Sequence, residues 1–332
     1  MKMLVTGGTG FLGRHLARAL LQHDHRVHLL GRNFTQSADL LSLGAQPVPV
    51  DLRDRAATIA ACEGMDAVFH VGALSAPWGH RADFFAINVD GTANVIAGCQ
   101  RHDVGQLIYV SSPSVVFDGR DHWNLAEAAP YPRRFASIYS LTKKLGEDLV
   151  NQAAGTRLPA VILRPKAIFG PGDTSLLPRL IDAARRGRLP QIGDGRNLVD
   201  LTYVDNVVQA LLLVLSAPAA VGRTYTITNG EHVPLWQVIR TVLQHQGLST
   251  KLRRVPLNVA LLAAAIMEAR AAITGREPLL TRYSAAILAR TQTYSISAAQ
   301  RDLHYAPQIS VAEGITRTLA ALGSPETTAT HA

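Results

Sequence analysis

Residues 3–13 read Met3-Leu4-Val5-Thr6-Gly7-Gly8-Thr9-Gly10-Phe11-Leu12-Gly13. The first of these predict a buried strand, and the glycine-rich turn leads from it directly into a segment of helical period. Gly7 permits a tight turn, Gly10 lets the backbone approach a pyrophosphate, and Gly13 lets helix and strand pack closely. The helix N-terminus would hold the phosphates, because its free N–H groups favour negative charge. The stretch therefore predicts a dinucleotide-binding loop.

Short apolar runs alternate with segments of helical period through the first two thirds of the chain. Strands are predicted at Met3–Thr6, Val27–Leu30, Gln46–Val50, Ala67–Val71, Leu107–Ser111 and Ala160–Leu163, and helices at Gly13–His23, Arg55–Cys62, Phe84–Gln100 and Tyr139–Ala154. This alternation predicts an α/β fold with a doubly wound parallel sheet of the Rossmann type.

The alternation loosens after Arg164-Pro165. We therefore expect residues 1–165 to form the dinucleotide-binding domain. Residues 166–323 should form mainly a smaller, largely helical substrate lobe, with some segments returning to the sheet. Residues 324–332 are expected to be a disordered tail.

Composition and charge narrow the function classes. The 332-residue chain is 47% hydrophobic and 17% charged, which is typical of a soluble globular protein. It carries a net charge of +8, but its basic residues are scattered, so binding to nucleic acid is not expected. Cys62 and Cys99 predict neither a disulfide framework nor a metal site.

The most apolar stretch after the first strand is Leu257–Met267. It is too short to span a bilayer. A packed helix is predicted here in preference to a membrane-surface helix, so peripheral membrane contact is not expected. The strand at Met3 leaves no room for a signal peptide, and a cytoplasmic location is expected.

The end of the second predicted strand bears on the choice of cofactor. Folds that prefer NAD place an acid there, which bonds the ribose 2′-hydroxyl. The equivalent position is Gly31, followed by Arg32. Without a carboxylate to repel a 2′-phosphate, and with an arginine to receive it, NADP(H) is favoured over NAD(H). Asp51-Leu52, at the end of the third strand, is placed to bracket the adenine.

Tyr139 and Lys143 stand four residues apart in a predicted helix and therefore share one face. A positive charge near a phenol lowers its pKa, which suits proton transfer to a carbonyl oxygen near pH 7. Ser111-Ser112 follow a predicted strand and place hydroxyls at the carboxyl edge of the sheet. The pair alone is common by chance, and its meaning depends on these neighbours.

With these pieces in order, the chain resembles the extended short-chain dehydrogenase/reductase superfamily over nearly its whole length. The matching pieces are residues 6–13, Asp51-Leu52, His70-Val71-Gly72-Ala73, residues 88–92, Ser111-Ser112, residues 139–143, Leu163-Arg164-Pro165 and residues 203–206. The resemblance implies that Tyr139 is the acid/base and that Ser112, rather than Ser111, orients the substrate oxygen. It also implies that Lys143 binds the nicotinamide ribose and lowers the pKa of Tyr139, and that His70 is structural. The implied cofactor contacts are Gly7, Thr9, Gly10, Phe11, Leu12, Gly13, Arg32, Asp51, Leu52, Gly72, Ala73, Tyr139, Lys143 and Pro165.

Within the superfamily two branches compete. Nucleotide-sugar epimerases and dehydratases carry an arginine that grips a pyrophosphate, and the matching position here is Val199, with Arg196 three residues away. Residues 111–117 and 164–173 resemble the 3β-hydroxysteroid dehydrogenase branch instead. Residues 276–282 and 305–308 are similar to bacterial 2-alkyl-3-oxoalkanoate reductases, which reduce a β-keto acid to a β-hydroxy acid.

The resemblance implies an NAD(P)(H)-dependent oxidoreductase that interconverts a carbonyl and a secondary alcohol on an apolar small molecule, such as a 3-oxo (2-alkyl) fatty acid or a 3β-hydroxysteroid-like compound. A nucleotide-sugar epimerase or dehydratase is the first alternative, and a nucleotide-sensing protein without turnover is the second. The helices at Phe84–Gln100 and Tyr139–Ala154 could pair across the two-fold axis of a homodimer, as in related enzymes.

Overall fold

The protein is described by a computed structural model over residues 1–322, in which strands and helices alternate through the first half of the chain. The strands are β1 (Lys2–Thr6), β2 (Arg26–Gly31), β3 (Gln46–Pro49), β4 (Ala67–His70), β5 (Gln106–Val110), β6 (His122–Leu125), β7 (Ala160–Pro165), β8 (Ile168–Phe169), β9 (Gln191–Ile192), β10 (Leu198–Asp200), β11 (Thr202–Tyr203), β12 (Thr224–Ile227), β13 (His232–Pro234), β14 (Arg254–Val255) and β15 (Gln292–Tyr294). The helices are α1 (Phe11–Gln22), α2 (Ala38–Ser42), α3 (Arg55–Ala60), α4 (Arg81–Phe85), α5 (Gly91–Arg101), α6 (Ile138–Ala154), α7 (Leu177–Arg185), α8 (Val204–Leu215), α9 (Leu235–His245), α10 (Leu257–Thr274), α11 (Arg282–Ala289), α12 (Ser297–Leu303) and α13 (Val311–Leu322).

A seven-stranded parallel sheet lies at the centre, in the order β3-β2-β1-β4-β5-β7-β12. The direction of winding reverses between β1 and β4, and open sheets of this kind bind ligands at the carboxyl ends of the strands beside such a point. The predicted α/β fold with a doubly wound parallel sheet is confirmed. Six of the seven strands correspond to the predicted ones within one or two residues at each end, and β12 was not predicted.

Alternation along β1 shows why both faces of the sheet are covered. Met3 and Val5 are buried in one apolar cluster with residues of α1 and α8, whereas Leu4 is buried in a second cluster with residues of α5 and α6. Period-two burial of this kind is what a strand in the middle of a sheet requires. Cys62 and Cys99 lie in the second cluster, buried and unbridged.

The helix predicted at Phe84–Gln100 is present and helical without a break from Arg81 to Arg101, but a π-helical turn, Ala86–Asp90, lies between α4 and α5. In this turn the side chain of Asn88 is buried: its Oδ1 accepts a hydrogen bond from Leu74 N at 2.7 Å, and its Nδ2 donates to Leu74 O at 3.1 Å. A helical pattern of apolar residues does not reveal such a bond, and π-helical turns are frequent at functional sites.

The second half of the chain builds a smaller layer beside the main sheet. A four-stranded sheet in the order β13-β10-β15-β6 lies here, and α9, α10 and α11 pack around buried Trp236, Ile239 and Leu243. Because β12 returns to the main sheet and β6 joins the smaller one, the two layers exchange strands. The domain boundaries at residues 165 and 323 stay a prediction, and the predicted tail at 324–332 lies outside the described residues.

The helix predicted at Leu257–Met267 is packed along one side only: Ala260 is buried against α9 and α11, and Leu257 and Leu261 pack beside it. The helix α10 is longer than predicted, and its large apolar side chains Leu262, Ile266 and Ile273 are 66%, 64% and 87% exposed. Only alanines (Ala260, Ala264 and Ala271) are buried in it. Among the helices within residues 1–322, α10 is also the one whose length and apolar composition would suffice to cross a membrane. Composition alone did not indicate which face of the helix would be covered.

Candidate active site

A cavity of about 1170 Å³ lies along the carboxyl ends of the central strands and extends under α10 and α11. Every residue predicted to act in cofactor binding or catalysis lines it: Gly7, Thr9, Gly10, Phe11, Leu12, Gly13, Arg32, Asp51, Leu52, Gly72, Ala73, Ser112, Tyr139, Lys143 and Pro165. The structure thus brings these residues to one place, although they come from positions 7 to 165 of the chain. Their individual roles stay predictions.

The glycine loop is shaped by direct backbone contacts. Gly7 has a φ of +64°, and a Cβ on it would lie 2.6 Å from the Cα of Gly72. A Cβ on Gly13 would sit on the Gly7 carbonyl oxygen. Gly10 is the N-cap of α1 and has no side chain with which to cap it, so the first N–H groups of α1 face the cavity side without an intrahelical partner. Such a helix start fits the pyrophosphate of a dinucleotide.

His70 lies beneath this loop and is held on both sides. Its Nδ1 is 2.7 Å from Thr6 Oγ1, and its Nε2 is 2.9 Å from Thr92 Oγ1. Complete burial lowers the pKa of His70 to about 3, so the ring is neutral at physiological pH. Because both ring nitrogens are used, these contacts fit the structural role expected from the sequence.

At the far end of the cavity the side chain of Arg32 follows β2 and is 70% exposed. Its Nη1 lies 3.8 Å from Asp51 Oδ2, while Arg53 grips the same carboxylate with Nε at 3.0 Å and Nη2 at 2.7 Å. These bonds from Arg53 are the main reason why the pKa of Asp51 is lowered to about 2. Arg53 is therefore the main ion-pair partner of Asp51, and the Arg32 guanidinium stays largely exposed to solvent.

Tyr139 lies in the first turn of α6, where the side chain of Ser137 caps the helix by accepting a hydrogen bond from Ser140 N at 3.0 Å. The hydroxyls of Ser75 and Ser112 lie close to the phenol and lower its pKa, which burial raises more strongly. Ser112 Oγ is fixed in turn by Ser114 N at 3.2 Å, whereas the buried Ser111 Oγ has no hydrogen-bond partner within residues 1–322. This arrangement favours Ser112 over Ser111 as the neighbour of the reacting oxygen.

The expected effect of Lys143 on Tyr139 is absent, and the expectation of a lowered phenol pKa is wrong for this structure. The ammonium donates to Val110 O at 2.6 Å and lies 4.0 Å from the centre of the Tyr109 ring. Burial lowers the pKa of Lys143 to about 7 and raises that of Tyr139. Desolvation is the largest cause of the raised pKa of Tyr139, so the phenol is protonated at neutral pH.

A buried ion pair fixes α6 to the sheet. Arg164 on β7 donates from Nε to Glu147 Oε1 and from Nη2 to Glu147 Oε2, both at 2.7 Å. Tyr131 joins them, with its hydroxyl 2.8 Å from Glu147 Oε2 and 3.0 Å from Arg164 Nη2. Glu147 is completely buried. Since Tyr139 and Lys143 lie on the same helix as Glu147, this pair sets their position relative to the strand ends.

Three residues at the site were missed by reasoning from the sequence: Ser75, Lys166 and Tyr283. Ser75 follows Gly72-Ala73, so a hydroxyl close after the fourth strand was a usable signal. Lys166 directly follows Pro165; its Nζ donates to Gln292 Oε1 at 2.8 Å, and burial lowers its pKa to about 8. Tyr283 comes from α11 in the smaller layer and stacks edge-on against Phe117 at 6.2 Å. No local pattern links residue 283 to the strand ends.

Comparisons with known proteins agree with this geometry. The sequence model of the 3-beta hydroxysteroid dehydrogenase/isomerase family matches residues 4–257. The 2-alkyl-3-oxoalkanoate reductase of Stenotrophomonas maltophilia is 39% identical, with 96% of this chain and 98% of that protein covered. The 2-alkyl-3-oxoalkanoate reductase of Shewanella oneidensis is 35% identical, with coverage of 96% and 85%.

Solved structures support the fold. The crystal structure of gox2253 has a TM-score of 0.80 and 28% identity, and the alignment covers 96% of this chain and 97% of that one. MoeE5 in complex with UDP-glucose and NAD has a TM-score of 0.77 and 24% identity, with coverage of 97% and 98%. At this identity the second likeness shows a shared fold and no more.

We expect Glu147→Ala to lower the free energy of unfolding by about 3–5 kcal/mol, because it leaves the Arg164 guanidinium buried without its partner. The matched control is Asp148→Ala. Asp148 is next in the chain but forms an exposed pair with Lys144 at 2.6 Å, which should contribute less than about 1 kcal/mol. Urea unfolding of both variants measures the difference, and equal losses would show that the buried pair does not hold α6.

Proposed function

The chain belongs to the 3-beta hydroxysteroid dehydrogenase/isomerase family and is an NAD(P)-dependent oxidoreductase that acts on a carbonyl or alcohol, and we propose that its substrate is an apolar 3-oxo acid. The observation that carries this proposal is the one cavity that joins the cofactor loop, the Ser112–Tyr139 pair and a largely apolar wall. The similarity to two 2-alkyl-3-oxoalkanoate reductases supports the class of substrate.

The wall of the cavity beyond Tyr139 supports an apolar ligand. It is formed largely by aliphatic side chains from α7, α9, α10, α11 and the loop before α11, among them Leu180, Ile239, Met267, Leu280 and Ile287. Val199 also lines it, at the position where nucleotide-sugar enzymes carry an arginine, and Arg196 is not among the described residues that do. A valine cannot compensate the charge of a pyrophosphate, which counts against the nucleotide-sugar alternative.

In the proposed mechanism the chain supplies position and a proton. The cofactor, when bound, supplies or receives the hydride. Gly7, Gly10 and the start of α1 would hold its pyrophosphate, and Lys143 its nicotinamide ribose. Ser112 orients the substrate oxygen, and Tyr139 donates a proton to that oxygen as the carbonyl is reduced. Burial keeps the phenol protonated, which suits the direction of carbonyl reduction.

Lys166 is proposed to bind the carboxylate of the acid. It lines the cavity directly after Pro165, and one of its three N–H donors is used by Gln292. The neighbouring Asp200 already receives bonds on both oxygens, from His232 Nδ1 at 2.6 Å and from Tyr294 N at 2.7 Å. The ammonium thus keeps donors for an anionic ligand within an otherwise apolar wall.

For the cofactor we propose NADP(H) over NAD(H). Gly31 offers no carboxylate at the end of β2, and the Arg32 guanidinium lies exposed at the edge of the cavity. The nearest carboxylate, Asp51, is gripped by Arg53. A 2′-phosphate would therefore meet a cation there rather than an acid.

The direct test is Tyr139→Phe. This variant keeps the ring but loses the proton, so we expect turnover of a long-chain 3-oxo acid to fall by at least about 10²-fold, the scale of general acid catalysis. The variant should still bind NADPH, followed by the fluorescence of the bound cofactor, because the glycine loop and the start of α1 that would hold the pyrophosphate are unchanged.

A matched serine pair sharpens the test. Ser112→Ala should lower turnover, whereas Ser111→Ala should leave it nearly unchanged, since the Ser111 hydroxyl has no partner at the site. Near-normal reduction by Tyr139→Phe, or a larger loss in Ser111→Ala than in Ser112→Ala, would overturn the proposed mechanism.

Arg32→Ala tests the preference for NADP(H). Loss of a charge-assisted bond to the 2′-phosphate should weaken NADPH binding by about 10- to 100-fold, while NADH binding should change by less than about twofold. The readout is the dissociation constant of each cofactor, titrated by fluorescence, with Arg53→Ala as the neighbouring control. An equal loss for both cofactors would contradict the assignment.

Lys166→Met tests recognition of the carboxylate. The KM for a long-chain 3-oxo acid should rise by about tenfold or more, because a hydrogen bond between charged groups is lost. The KM for a methyl ketone of the same chain length, which has no carboxylate, should stay nearly the same. If both substrates lose equally, Lys166 stabilises the site without binding the acid.

A further inference from the structure

The helix α10 exposes large apolar side chains on its outer face, whereas its fully buried residues are alanines. Its exposed residues Val259, Leu262, Ile266 and Ile273 are spaced by three, four and seven positions, which places them within an arc of roughly 60° on a helix of about 100° per residue. The buried Ala260, Ala264 and Ala271 lie on the opposite side. Alanines, together with half-buried Leu257 and Leu261, therefore face the protein, and these four exposed residues form a continuous outer stripe.

The helix that carries this stripe is fixed in place by the rest of the protein. The N-terminal end of α10 follows β14, which pairs with β9. Towards its C-terminal end, Glu268 receives Arg282 N and Nε, both at 2.7 Å. A helix held along one side in this way cannot be surrounded by lipid, so its length of 18 residues does not make it a membrane span. It is suited to lie on a surface with its outer face down.

Basic residues flank the stripe along the chain. From Lys251 to Arg282 the chain has six lysines and arginines but two acidic residues. Both acidic residues are paired, Glu268 with Arg282 at 2.7 Å and Glu277 with Arg179 at 3.2 Å. Within residues 1–322, five of the six cations form no ion pair: Lys251, Arg253, Arg254, Arg270 and Arg276. An apolar stripe between unpaired cations complements an anionic lipid surface.

The stripe also lies at the rim of the candidate active site. Met267, in α10, and Leu279, in the loop after it, line the cavity and are 36% and 73% exposed. The lining of the cavity therefore reaches the surface next to the outer stripe.

We propose that α10 docks this protein on an anionic phospholipid membrane and that the cavity takes its apolar substrate from that membrane. The docking rests on α10 alone, whereas the delivery of substrate rests on the proposed function. The proposal departs from the expectation of no membrane contact, which depended on a packed helix at this position.

Vesicle co-sedimentation tests the docking. The full chain, without cofactor or substrate, should bind vesicles of phosphatidylcholine and phosphatidylglycerol at least tenfold more strongly than vesicles of phosphatidylcholine, and 0.5 M salt should weaken binding because the cations are screened. The triple variant Leu262→Ser, Ile266→Ser, Ile273→Ser should lose binding by at least tenfold. The control is Leu43→Ser, Trp123→Ser, which removes two apolar residues that are 56% and 66% exposed elsewhere, and it should bind as the unaltered chain does.

Three results would overturn the docking: no binding to anionic vesicles at low salt, equal binding by the triple variant, or insertion that resists alkaline extraction. A dimer that the triple variant converts to a monomer, without vesicle binding by the unaltered chain, would show instead that a second copy covers α10.

Activity separates the docking from the proposed function. With a long-chain 3-oxo acid carried in anionic vesicles, the triple variant should be at least tenfold slower than the unaltered chain, but equally fast with a short-chain, water-soluble 3-oxo acid. If the unaltered chain reduces neither acid yet still binds vesicles, the proposed function fails and the docking stands. Equal rates of both proteins on the vesicle-borne acid would overturn the delivery of substrate.

Discussion

Close contact between three glycine backbones determines the shape of the site. Gly7 lies against Gly72, and Gly13 lies against the Gly7 carbonyl, so closely that a Cβ at either position would enter the neighbouring backbone. This contact brings the start of α1 next to the end of β4 and leaves the first N–H groups of the helix directed at the cavity. Protein interiors tolerate such overlap poorly. The dinucleotide loop and the strand end that follows it are therefore one rigid unit.

Burial, rather than the nearby ammonium, sets the direction in which the pKa of Tyr139 is shifted. The i,i+4 spacing of Tyr139 and Lys143 is present, but Lys143 is directed to Val110 O and the Tyr109 ring. Desolvation raises the pKa of Tyr139 and lowers that of Lys143 to about 7. We propose that the phenol, with the hydroxyls of Ser75 and Ser112 close to it, is the proton donor. Glu147 and Arg164 are buried as well, and either charge without its partner would destabilise α6.

Local sequence was sufficient for the sheet and for the cofactor side of the cavity, because strand, glycine turn and helix follow one another without interruption. It was insufficient where partners come from distant parts of the chain. Tyr283 reaches the site from α11, β12 joins the sheet from the second half, and Asn88, in a π-helical turn, bonds Leu74. The exposure of α10 depends on which of its faces packs against the rest of the protein. The packed face is the one that carries its buried alanines. An apolar composition is the same for a covered helix and an exposed one.

We propose that this chain transfers hydride between a nicotinamide cofactor and the carbonyl of a 3-oxo acid, with Tyr139 as the proton donor. This can be measured by supplying NADPH that carries deuterium at the transferable position of nicotinamide C4 and by analysing the product by mass spectrometry. We expect one deuterium at C3 of the 3-hydroxy acid and one NADPH oxidised for each product molecule. A product without deuterium, or conversion of a nucleotide sugar without net oxidation of NADPH, would contradict it.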